Sequence, residues 1–176
     1  MLTPTVRRTP APRGKTPIIE SWDRHDRISA ISAVAVGPKR RKLGLYFRLL
    51  PGDTNAHGEG TVESLKQLRR HIPGPTTILR DRANIHDRSK FVRAYLADHP
   101  EAVTEKFPGY APETNPGEMV WEHSRHVRLS NFTPEDTAEL GGVLIEELDR
   151  VHRKPELLSA FIRHAKVPIR LRISSR

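Results

Sequence analysis

Two stretches decide the fold: TILRDRANIH, residues 77–86, and FPGYAPETNPGEMVW, residues 107–121. Residues 77–79 read as a buried strand, and Asp81 falls where that strand ends. In an α/β sheet this edge is where ligands and metals collect. Asn-Pro-Gly-Glu at 115–118 opens a helix and sets Glu118 on its first turn. A carboxylate at a strand end and another at a helix start can converge across a cleft. Such a pair suits divalent cations and phosphate chemistry. Each acid also has a plainer role. Strand-end aspartates start turns by bonding nearby backbone N–H groups. Glu118 fits a capping box with Asn115 as cap and Pro116 as the first helical residue. Spacing alone leaves both roles open.

Working outward, residues 61–71 read as a helix with Thr61 as cap and Val62, Leu65 and Leu68 as its apolar stripe. Pro73-Gly74-Pro75 ends it and leads into the strand 76–79. After Asp81 come a loop, 82–87, and a helix, 89–98, whose inward side carries Phe91, Val92, Tyr95 and Leu96. Residues 102–107 form a further strand. The order helix, strand, loop, helix over 61–98 is a βα unit of an α/β sheet. Upstream, residues 18–19 form a short strand, and RISAISAVAV, 27–36, is a stronger one with apolar or small residues on both faces, as in a strand covered on both sides. Gly37–Arg40 is a turn, and 43–50 returns as an antiparallel strand. The basic run 39–42 at the hairpin tip is either a DNA contact or a solvated turn. Downstream, the helix from Pro116 runs to about residue 129. Thr133-Pro-Glu-Asp136 caps a helix reaching about residue 151, and 155–166 forms a last one. His123 and His126 are three apart, with no third ligand evident for a metal.

The chain has 176 residues, enough for one domain with a core. Its formal net charge is +9, which favours a polyanionic partner, most simply nucleic acid. The absence of cysteine excludes disulfides, thiolate catalysis and cysteine-based zinc sites. No run approaches the length of a membrane span. The first ten residues, MLTPTVRRTP, lack the apolar core of a secretory leader, so the cytoplasm is the expected compartment. Residues 1–16 are proline-rich and carry Arg7, Arg8, Arg13 and Lys15. They form either a basic arm that can follow a phosphate backbone or a solvated terminus. The tail, 169–176, is basic and expected to be loose. The domain proper is expected over 17–168.

APRGKTP at 11–17, LRDRANIH at 79–86 and FPGYAPETNPGEMVW at 107–121 resemble the catalytic domain of IS630/Tc1/mariner-like transposases. The resemblance covers nearly the whole chain, and its last motif is the most specific. It implies an α/β, RNase H-like mixed sheet flanked by helices. It also implies a DDE endonuclease that cleaves and transfers DNA strands during transposition. Three carboxylates would hold two Mg²⁺ (or Mn²⁺) ions, and double-stranded DNA, at transposon ends and target, would be the partner. Self-association as a dimer and a place on the bacterial nucleoid follow from the same likeness. Asp81 stands at the family's second catalytic Asp and Glu118 at its catalytic Glu. The 36 residues between them, 82–117, match the family's expected spacing. His86 is at a family-like auxiliary position. Arg80 and Arg82 flank the site, and Arg125 lies on the Glu118 helix; all three are candidates for phosphate contact.

The resemblance also implies a first catalytic Asp, on a strand preceding the segment that matches residues 2–8. Glu20, Asp23 and Asp26 follow the APRGKTP motif and do not fit that role. The chain is therefore expected to be an N-terminally truncated transposase, impaired in cleavage. The alternative is a non-catalytic DNA-binding or inert remnant. The missing strand would be central, between 27–36 and 76–79. Without it two strand edges face a gap, each buried unpaired group costs roughly 1–3 kcal/mol, and marginal stability is expected.

Overall fold

The computed structural model describes residues 11–15, 28–50, 58–81, 89–109 and 112–172. Strand β1 is Ser29–Val36 and β2 is Leu43–Leu50, paired antiparallel from Ser29↔Leu50 to Val36↔Leu43. Gly37 to Arg40 closes the hairpin. The Arg40 N–H donates to the Gly37 carbonyl at 2.7 Å, with Pro38 at the position its fixed φ favours. Most of β1 is half-buried rather than covered on both sides, which corrects the reading from its apolar faces. Small side chains fill β1, so a strand can look apolar throughout while only part of it is packed.

Helices α3 (Pro116–Val127), α4 (Thr137–His152) and α5 (Pro155–His164) pack on this hairpin. Their shared core holds Ile28, Leu45, Val120 and the leucines 129, 140, 144, 148 and 158. Those five leucines are fully buried, and each contributes on the order of 1.5–3 kcal/mol of burial. The His152 ring, at the last turn of α4, pins the helix to β2, with Nδ1 2.9 Å from the Leu45 carbonyl oxygen.

The other half is α1 (Gly58–His71), β3 (Thr76–Arg80), α2 (Lys90–Ala97) and β4 (Ala102–Lys106). Strands β3 and β4 run parallel, in register from Thr76↔Ala102 to Arg80↔Lys106, which extends the expected βα unit, β3–α2, with β4. The expected buried strand is corrected. Thr77 and Leu79 are exposed and only their neighbours half-buried, with Leu79 41% and Val103, on the same face, 53% accessible. Among the described residues β3 pairs with β4 alone, and β1 and β3 belong to separate two-stranded sheets. Phe91 is likewise exposed, with the Lys90 ammonium 5.2 Å from its ring centre.

Three boundaries differ from expectation. Helix α1 begins at Gly58, so Thr61 is a buried interior residue and not a cap. A Cβ at Gly58 would stand 1.9 Å from the Ser89 Oγ, so only glycine lets this end lie against the start of α2. Packing, rather than propensity, extends the helix. The cap of α4 is Asp136, not Thr133: its Oδ1 accepts the Glu139 N–H at 2.7 Å, and the Glu139 carboxylate accepts the Glu135 N–H at 2.6 Å. The carboxylate lies at the positive end of the helix dipole, which favours it over a hydroxyl. The tail is not wholly loose, because the Arg172 N–H donates to the Arg40 carbonyl at 2.8 Å. The expected strand at 18–19 lies outside the described residues, as does the loop 82–87.

Candidate active site

Residue Asp81 follows β3 directly and is half-buried. Because β3 and β4 are parallel, both strands finish at the same edge, and the Phe107 N–H donates to the Arg80 carbonyl at 2.9 Å. This bond holds the start of the second motif beside Asp81. Between Phe107 and α3 the described residues include a 3₁₀ turn, Pro112–Thr114, followed by Asn115. The register also sets Lys106 opposite Arg80. Sequence reasoning missed Lys106, since its place next to Arg80 depends on a pairing 26 positions apart, 106 against 80.

At the other end of this connection, the Asn115 Oδ1 accepts the Gly117 N–H at 3.0 Å and caps α3. Glu118 is exposed on the first turn, where its charge favours the helix dipole. Its backbone N–H goes to the Asn115 carbonyl at 3.1 Å. The capping is thus one-sided: Asn115 bonds the residue before Glu118, and no bond from the Glu118 side chain to the cap is present among the described residues. The carboxylate is left available for other work. Gly117 explains itself here. A Cβ on it would lie 3.1 Å from the capping oxygen and 3.9 Å from the Ser32 Oγ on β1. The start of α3 therefore sits on the middle of β1, where small side chains allow the approach. Glu118 is positioned by the hairpin half, Asp81 by the β3–β4 half.

The remaining expected residues divide as follows. Arg80 ends β3 and Arg125 lies on α3; both are half-buried. Arg13 and Lys15 are exposed in a short turn, closed by the Lys15 N–H on the Pro12 carbonyl at 3.0 Å. Arg7, Arg8, Arg82 and His86 lie outside the described residues. His123 and His126 do not share a ligand. The first faces Glu147 at 3.7 Å and stacks obliquely near Phe161, and the second lies 3.7 Å from Glu122.

The described residues hold no group of three or more His, Cys, Asp or Glu side chains able to hold a metal ion. Asp81 and Glu118 supply two hard oxygen donors from two elements. That set fits a divalent cation of the magnesium type, which commonly takes one or two carboxylates and completes its shell with water and phosphate oxygens.

A profile of the DDE superfamily endonuclease family matches residues 1–140. The chain belongs to the DDE superfamily endonucleases. No curated protein matches the sequence. Among solved structures the chain is similar to the Mos1 transposase in its paired-end complex with the left transposon end. The TM-score is 0.57 and the identity 16%, over 93% of this chain and 51% of that one. It is also similar to the Mos1 strand transfer complex, with a TM-score of 0.52 and 17% identity over 96% of this chain and 52% of that one. Against the catalytic domain of Mos1 mariner transposase the TM-score is 0.50 and the identity 14%, covering 78% of this chain and 81% of that domain. The chain thus spans about half the length of the transposases in those complexes. The shared architecture is the RNase H-like mixed α/β fold of the mariner catalytic domain. Among the described residues, no helix is long and apolar enough to cross a membrane.

Proposed function

We propose that this DDE endonuclease chain is the catalytic domain of a Tc1/mariner-type, IS630-like transposase acting on double-stranded DNA. Asp81 and Glu118 would hold a divalent cation, Mg²⁺ or Mn²⁺, at the phosphodiester to be cut. The observation that carries this reading is the pair of positions itself. Within the residues matched to the family, one acid follows the β3–β4 edge and the other opens the helix reached from that edge. When bound, such an ion activates water or a 3′-hydroxyl and stabilises the leaving oxygen.

The chain's own groups do the placing. The Asn115 cap leaves the Glu118 carboxylate free of the helix terminus, and the Phe107–Arg80 backbone bond holds the two motifs together. Arg80 and Lys106, paired across the strands, are stationed to hold phosphate at the same edge, and Arg125 on α3 is a further candidate. The proposed endonuclease domain occupies residues 17–168, with a basic arm before it and a basic segment after it.

The test is a nicking assay of the full chain with Mn²⁺ on transposon-end DNA. Asp81→Ala and Glu118→Ala are each expected to abolish cleavage, and cleavage unchanged by both would sink the assignment. A second reading is DNA binding without cleavage. Two observations favour it: the net charge of +9 and the lack of a third acid beside the pair among the described residues. Salt-sensitive duplex binding by a wild-type chain that leaves the DNA intact supports this second reading.

A further inference from the structure

We infer that the β1–β2 turn and the segment after α5 form one surface for the duplex DNA backbone, separate from the Asp81–Glu118 pair. The inference rests on the DNA reading above and assigns it a place. The turn contributes Lys39, Arg40, Arg41 and Lys42, all exposed. The segment after α5 contributes Lys166, Arg170 and Arg172, also exposed, and Arg163 closes the helix before it. These two pieces of chain are more than 120 positions apart, yet the Arg172 N–H to Arg40 carbonyl bond of 2.8 Å joins them. The bond sets the two basic segments side by side.

Three features mark the surface as a polyanion site rather than two solvated ends. First, neither 37–42 nor 163–172 contains an Asp or Glu, and among the described residues none of their cations forms an ion pair. Elsewhere four cations are matched to acids, Lys66 to Glu63, Arg69 to Glu101, Arg128 to Glu146 and Arg150 to Glu147, whereas in these two segments none is. Unmatched like charges repel one another, and a polyanion relieves that. Second, Arg40 and Lys166 both hold left-handed backbone, at φ 56° and 52°. Glycine or asparagine would sit there with less strain, so the long cationic side chains are kept at a conformational cost. Third, the tail alternates. Val167, Ile169 and Leu171 are half-buried, while Lys166, Arg170 and Arg172 point outward. The apolar members are turned partly to the protein. The outward cations lie close together along the chain, which suits the closely spaced charges of a duplex.

The experiment uses the full chain and a short random-sequence duplex, with binding followed by fluorescence anisotropy across a salt series. The variants are K39A/R41A, R170A/R172A and the quadruple combination. All four side chains are exposed and the joining bond is between backbone groups, so thermal melting is expected to stay unchanged. Each lost phosphate contact lowers the slope of log K against log salt by about 0.9, so each pair should remove about 2 and the quadruple variant about 4. Affinity at physiological salt should fall at least about tenfold in the quadruple variant. A quadruple variant with wild-type slope and affinity overturns this surface while leaving DNA binding elsewhere intact. An effect of one pair and not the other overturns the joined surface. Wild-type protein that ignores duplex even at low salt fails the DNA reading itself. If phosphatidylserine vesicles are bound instead, with the same loss in the quadruple variant, the surface belongs to a lipid headgroup and the inference is wrong.

Discussion

The hairpin half and the β3–α2–β4 half each pair two strands and cover them with helices, yet they differ sharply in depth. In the hairpin half three helices close over β1 and β2, and leucines from α4 and α5 are fully buried. In the other half α1 and α2 pack together, Val92 and Ala102 are the buried apolar residues among those described, and Leu79 and Val103 stay exposed on the sheet. The difference is one of layers. A sheet with a helix bundle on it encloses a core, whereas a two-stranded ribbon with one open face encloses little. Asp81 belongs to the shallow half and Glu118 to the deep one. The proposed site would therefore be a seam between the halves, its geometry depending on how firmly the shallow half is held.

The contrast is broken most directly at Leu144. Leu144→Ala, at a fully buried position, is expected to cost about 2–5 kcal/mol, and Leu79→Ala, at an exposed one, less than about 1 kcal/mol. Urea midpoints decide it, and equal shifts would mean that the two halves do not differ in depth. Amide exchange extends the same comparison. β3 and β4 amides are expected to exchange by local opening before those of β1 and β2.

A smaller effect tests what else the deep half buries. Glu147 is an almost fully buried carboxylate on α4, with the Arg150 guanidinium 2.9 Å away and the Arg128 Nε at 3.9 Å. Arg150→Ala removes its nearest partner and is expected to cost about 1–3 kcal/mol, read from the thermal midpoint. Glu147→Leu should lose less than that, because an apolar side chain replaces the buried charge. The reverse order would show that the carboxylate itself is indispensable.

In the shallow half, Ser89→Ala removes the cap of α2, whose Oγ accepts the Val92 N–H at 3.3 Å. The expected cost is about 0.5–2 kcal/mol, and the nicking defect should exceed what that loss of stability alone implies, since α2 and Asp81 belong to one unit. Unaltered nicking would show that the seam does not depend on α2.

The smallest effect is a pH dependence. Glu101, at the start of β4, is held below its ordinary value by its backbone hydrogen bond and then by Arg69 at the end of α1. A depressed carboxylate stabilises the fold above its unfolded pKa, and this contribution is lost as pH falls through the folded value. Arg69→Ala should therefore weaken the protein slightly at neutral pH and narrow its loss of stability on acidification. A variant with the wild-type acid profile would place the shift elsewhere.

Much of the local structure is written in short range. The limits of β2, the Ser89 and Asn115 caps and the turn at Gly37–Arg40 each follow from residues within a few positions. Caps and turns satisfy nearby backbone groups, and their chemistry leaves a mark in sequence. So does the placement of Asp81 after a strand and Glu118 on a first turn. What depended on distant partners was decided only by the tertiary structure. Gly58 begins α1 because Ser89 lies against it, and Leu79 is exposed because apolar alternation does not say which face will be covered. Glu147 is buried among cations from two helices, and the tail docks on Arg40. Each of these is a contact between segments whose proximity costs chain entropy, and only the assembled fold supplies enough burial to offset it.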